Sequence, residues 1–207
     1  MRSLLCVPFF VALLSVPAFA QKRTAPAAEP TFPEATETAK KAFDSKEYGA
    51  AVTALQAAIR AVQKLQRVAI LEALPKPAGF EVRDDELRND DATMNAAVTF
   101  LGLQVTRHYT KGDKSVDVEV SANAPMAAML AMMFANPAIL KSEGGEMVEY
   151  GRHKAVLKKN GDTGQELTIL LFDKHVVKAT ANGMTAEEVL AIVDQAMVDR
   201  VEKALGK

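Results

Sequence analysis

TFLGLQVTRHYTKGDKSVDVEVSA, residues 99–122, is where the hydrophobic period of this chain drops from about 3.6 to 2. Leu101, Leu103, Val105, Arg107 and Tyr109 alternate with Gly102, Gln104, Thr106 and His108. Lys111-Gly112-Asp113-Lys114 reads as a turn; Val116, Val118 and Val120 then return on one face, with Asp117 and Glu119 on the other. Two alternating runs about a glycine turn predict an antiparallel hairpin with one wet face.

The same pattern recurs downstream. KAVLKK (154–159), the turn NGDTG (160–164), ELTILLF (166–172), a tight turn at Asp173-Lys174 and HVVKATA (175–181) predict three more antiparallel strands. GFEV (79–82) is expected near an edge, and KSEGGEM (141–147) as a flexible loop that pivots at Gly144-Gly145. TAEEVLAIVDQAMVDRVEKALG (185–206) reads as one closing helix. Thr185 and Glu188 form its capping box, and Val189, Ile192, Val193, Ala196 and Met197 its apolar stripe.

Upstream of Pro75 and Pro77 the chain is rich in Ala, Leu, Gln and Lys, which favour helix. Asp44-Ser45-Lys46 divides it into a short helix to about Phe43 and a long one from about Lys46 to Leu74. On the long helix Val52, Leu55, Ile59, Val62 and Gln66 share a stripe, with Ala51, Ala58 and Leu65 beside it. The expected fold class is α+β: a helical hairpin (34–74), then a domain (78–207) with a mostly antiparallel sheet of five to six strands and two helices covering one face.

The N-terminus has the layout of a secretory leader. Arg2 gives a positive start, Leu4–Val16 an apolar stretch and Ala18-Phe19-Ala20 a cleavage site, so residues 1–20 are expected to be a signal peptide. The apolar stretch is shorter than the ~20 residues a bilayer span needs. Cleavage would remove Cys6, the single cysteine, leaving no disulfide, thiol nucleophile or cysteine metal site. The periplasm is the expected compartment, with secretion as the alternative, and residues 21–33, rich in Pro and Ala, read as a tether. Lys and Arg number 25 against 26 Asp and Glu, and no basic face emerges, so nucleic acid is a poor partner.

Residues 124–136 predict a helix with Met126, Met129, Met132 and Met133, bounded by Pro125 and Pro137. About thirteen residues at ~1.5 Å each cannot cross a bilayer. The M-x-x-M spacing suits soft-metal ligation, but one helix cannot aim all four sulfurs at one ion. Met126, Met129, Leu130, Met133 and Phe134 therefore read as core, or as an adaptable surface for an apolar ligand.

His108, His153 and His175 lack a close metal-ligand spacing and are expected at the surface. DDELRNDDAT (84–93) has neither the alternation nor the glycine of a calcium loop and reads as solvated. No nucleophile elbow, phosphate loop or dinucleotide fingerprint occurs, so no catalytic residue, metal site or cofactor is assigned.

Two resemblances add to this. Ala39, Phe43, Tyr48, Ala51, Leu55 and Ala58 make the hairpin resemble one tetratricopeptide-type unit, without its closing proline and without a second copy. The element order over residues 78–205 resembles the PsbP-like exported α+β modules, which implies a non-catalytic binding or accessory role. The expected function is a protein–protein adaptor that meets an unidentified protein through Phe43, Tyr48, Leu55 and Ile59. The alternative is a carrier of a small apolar molecule between the methionine helix and the sheet.

Overall fold

The computed structural model of the chain describes residues 29–85 and 103–206. The leader, most of the expected tether, Leu101 and most of the acidic segment 84–93 lie outside the described residues.

The helices of the N-terminal hairpin are α1 (Phe32–Asp44) and α2 (Tyr48–Ala73). Helix α1 begins two residues inside the expected tether, because Thr31 and Glu34 make a capping box around a proline in the first turn. The helices meet through alanines: Ala35, Ala39 and Ala42 of α1 are buried, as are Ala51, Ala54 and Ala58 of α2. Methyl groups on both sides let the two backbones approach closely.

Behind the hairpin, the described strands form one antiparallel sheet in the order β1-β2-β3-β7-β6-β5-β4. They are β1 (Glu81–Asp84), β2 (Leu103–Lys111), β3 (Lys114–Ala122), β4 (Gly145–Tyr150), β5 (His153–Asn160), β6 (Gly164–Leu171) and β7 (His175–Asn182). The predicted β2–β3 hairpin is present with Val105 opposite Val120 and Tyr109 opposite Val116. Strand β1 is an edge, as expected. The other edge, β4, corrects the loop reading of 141–147. Gly144 turns the chain at φ 72°, and Gly145 already pairs with Lys158. A Cβ at Gly145 would sit 2.9 Å from Val156, so glycine there permits a close strand approach.

The larger face carries the main core: Val105, Tyr109, Val116, Val118, Val120, Leu167, Ile169, Val177 and Ala179. Two helices cover it, α5 (Ala186–Ile192) and α6 (Gln195–Ala204), together with the last turn of α2. The expected single closing helix is broken at Val193-Asp194, because the Asp194 carboxylate accepts from Met197 N at 2.7 Å and so starts a new helix. The Thr185–Glu188 capping box is present.

The methionine segment gives α3 (Ala127–Phe134) and α4 (Pro137–Ser142). These lie on the opposite face, where Ala124, Ala127, Phe134 and Leu140 meet Val156, Leu170 and Val176. Position parity shows the change of face, since Val156, Leu170 and Val176 alternate with Ala155, Ile169 and Val177 of the main core.

Candidate docking surface

The two ends of α2 have different surroundings. At its C-terminus Ile70, Ala73 and Leu74 enter the main core. The carbonyl of its last residue, which has no partner within the helix, and those of the two residues that follow are taken by three side chains in succession. Arg200 Nε donates to Ala73 O at 3.0 Å, Arg107 Nη1 to Leu74 O at 2.9 Å, and the Tyr109 hydroxyl to Pro75 O at 3.0 Å. Arg107, only 2% exposed, also donates from Nε and Nη2 to the two Asp84 oxygens at 2.5 and 2.9 Å. This fork holds the Asp84 carboxyl below its usual value and Arg107 above its own. Burial pushes the Tyr109 hydroxyl up to about 12, which keeps it a donor. Two guanidinium groups at a helix C-terminus also match its dipole. The hairpin is thus anchored by a stiff joint.

Towards its N-terminus the same helix is bare. Tyr48, Val52, Leu55, Ile59, Val62, Leu65 and Val68, with Phe32 and Phe43 of α1, are 46–70% exposed. At ~100° per residue, Tyr48, Val52, Leu55, Ile59 and Val62 fall within roughly 80° of arc, next to the alanines that face α1. Phe43 joins this stripe, since its ring meets that of Tyr48 edge-on with centroids 5.7 Å apart. All four expected partner residues, Phe43, Tyr48, Leu55 and Ile59, therefore share one exposed apolar face. Of the hairpin, the last turn of α2 packs on the sheet domain behind it. An exposed apolar band of this kind marks an interaction surface more often than an accident of composition.

The methionine helix departs from the core reading. Phe134 is 3% exposed, and Leu130 and Met133 pack partly against the smaller cluster. Met126 and Met129 are 56% and 61% exposed, and Met132 is exposed too. The short helix buries the arc of Ala127 and Phe134, and Met129 and Met132, with Met126 just before it, face outward. Among the described residues, no group of three or more His, Cys, Asp and Glu is arranged to hold a metal ion.

His153 and His175 correct a surface expectation, since both are buried. Each begins a strand, β5 or β7, and β6 lies between these strands. His153 Nε2 meets the Glu202 carboxylate, which also accepts from Arg152 Nη2 at 2.7 Å, and Phe172 packs edge-on against the imidazole. His175 Nδ1 accepts from Asn123 N at 3.0 Å, so its proton is on Nε2. The two rings thus have different partners. His108 lies on the polar face with Asp117 at 2.7 Å from Nδ1 and Asp85 at 2.8 Å from Nε2. Burial acts against its charge, but the hydrogen bonds its ring donates to these two carboxylates prevail and raise its pKa.

Sequence reasoning missed the joint. The one sign of it in the sequence is Arg107 on the apolar side of its strand, since a buried arginine needs an acidic partner.

No family model, curated protein or solved structure matches the chain. No helix among the described residues is long and apolar enough to cross a membrane.

Proposed function

We propose that this chain is an exported, non-catalytic adaptor that binds another polypeptide through the α1–α2 hairpin. The observation that supports this is the stripe from Phe43 to Val62, apolar and open to solvent on a helix whose other end is fixed to the sheet body. Such a helix needs a cover, and a partner helix provides one without moving the body. Export rests on the leader pattern of residues 1–20, and N-terminal sequencing of protein from the periplasm tests it.

The carrier reading has less support. Phe134, Leu140 and Ala127 occupy the space between the methionine helix and the sheet, against Val156, Leu170 and Val176. An apolar ligand retained in native mass spectra would revive it.

The adaptor reading is tested with Leu55→Glu/Ile59→Glu, which changes two exposed positions and leaves the alanine contacts intact. The variant should keep its circular dichroism and melting temperature yet lose the proteins that the parent recovers from periplasmic extract. Equal recovery by parent and variant refutes the proposal.

A further inference from the structure

We infer that the occupant of this stripe is a second copy of the chain, its α2 laid antiparallel along the first. The inference rests on the hairpin being the docking element and specifies what docks there.

The spacing of the stripe points to a helix as its cover. Tyr48, Val52, Leu55, Ile59, Val62 and Gln66 succeed one another at steps of four, three, four, three and four residues. That is the a/d seam of a coiled coil, narrower than the band a helix shows to a sheet. Ala51 and Ala58 on one flank are already buried against α1, so only the seam and its other flank remain open.

Self-complementarity points to a copy. With a two-fold axis at the height of residue 57, Leu55 meets Ile59 of the other copy, Val52 meets Val62, and Tyr48 meets Gln66. Every a position then faces a d position, as antiparallel pairing requires, and no layer is left unfilled. Gln66 is the one polar residue of the seam, and a single polar layer fixes register; here it falls opposite the Tyr48 hydroxyl.

Length and charge agree with this arrangement. The hairpin tip, residues 44–47, reaches the height of Arg67–Ile70, where α2 enters the sheet body. The pairing therefore uses the whole bare stretch and stops where the body begins. The open flank carries Gln56 and Gln63, so like charges do not line the seam. The tip, with Asp44 and Glu47 against Lys46, comes level with Arg67 of the other copy. The apolar side chains of the hairpin face expose on the order of 700 Å², close to the ~800 Å² each partner gives to a standard interface.

Sedimentation equilibrium of the purified chain tests the inference. The parent should sediment at twice the monomer mass in the micromolar range, and Leu55→Glu/Ile59→Glu at the monomer mass with unchanged circular dichroism. A monomeric parent overturns the inference, and so does a dimer that persists in the variant. Register is read by oxidation of Val52→Cys/Val62→Cys. Ten residues separate these positions, ~15 Å along one helix, beyond the reach of a disulfide within a chain. A cross-linked dimer is expected from the double variant and none from Val52→Cys alone. A dimer from the single variant means parallel pairing and overturns the arrangement. The two readings fail separately. A monomeric parent whose Glu variant still loses partners from extract removes self-pairing and keeps the adaptor. A dimeric parent whose monomeric variant recovers the same partners does the reverse.

Discussion

Replacing Arg107 with Met should cost about 3 kcal/mol, because one side chain closes the joint between the hairpin and the sheet. Methionine keeps much of the volume and removes three donated hydrogen bonds, two to Asp84 and one to Leu74 O. Breaking a buried ion pair from one side typically costs about 3–5 kcal/mol, since the abandoned charge stays behind. The Asp84 side chain is 36% exposed and can turn to water, which moves the cost to the lower end; the Leu74 carbonyl cannot turn away. With a urea m-value of about 2–3 kcal/mol/M for a chain of this size, the midpoint should fall by roughly 1 M. Asp84→Asn should interact with it, the double variant losing about 1–2 kcal/mol less than the two single losses together. Asp84 is held below its ordinary value of 3.8 by the guanidinium. The pair's contribution is therefore present above that pH and is lost as pH falls through the lowered value. The gap between parent and Arg107→Met should narrow in acid for the same reason. A midpoint shift below about 0.3 M, or additive single effects, would refute the joint.

Two further outcomes follow from burial and charge. Phe134→Ala should cost about 3–4 kcal/mol, against less than ~1 kcal/mol for Met129→Ala, because only the first leaves a cavity; thermal melts that rank them equally would reverse the assignment of the two faces of α3. His108 lies between Asp117 and Asp85 with a raised pKa, so its stabilisation is complete below the ordinary imidazole value of 6.5 and is lost as pH rises through the raised value. His108→Gln should therefore destabilise the chain at pH 5 and matter little at pH 9, and a pH-independent difference in urea midpoint would contradict this.

Much of the fold was legible because local pattern and tertiary environment agree. In β2 and β3 the alternation of Val105, Tyr109, Val116 and Val118 with Thr106, His108 and Asp117 is the pleat itself, one side in the core and the other wet. Thr185 and Glu188 announced a helix start because capping is local chemistry. The failures fell where a distant contact decides. Glu146 and Met147 show no alternation, since β4 is an edge whose side chains are partly bare; its strand character comes from pairing with Val156 and Leu157 of β5. The stop at Asp194 is masked in the sequence because the apolar stripe runs through it, and the competing signal, a side-chain oxygen that can cap Met197 N, occupies a single residue.

The surfaces were legible to a different degree. Period and residue type mark Leu55, Ile59 and Val62 as apolar positions on one side of a helix, but whether they face a sheet, a neighbour or water depends on where the helix is held. That is decided at Ile70, Ala73 and Leu74, and by Arg107 and Arg200, which capture its last carbonyls from strands and helices far along the chain. The methionines show the same limit in reverse. Met129 and Phe134 both look like core on composition, and five residues on a helix separate them by about 140°. The sheet takes the side with Ala127 and Phe134, where a methyl group and a flat ring fit against Val156, Leu170 and Val176, and Met129 is left outside. Periodicity therefore identifies which residues need a cover, and the anchoring contacts decide which of them get one inside this chain. The stripe on α2 is what remains after those contacts are made, so the role of the hairpin is set by what covers Val52, Leu55, Ile59 and Val62.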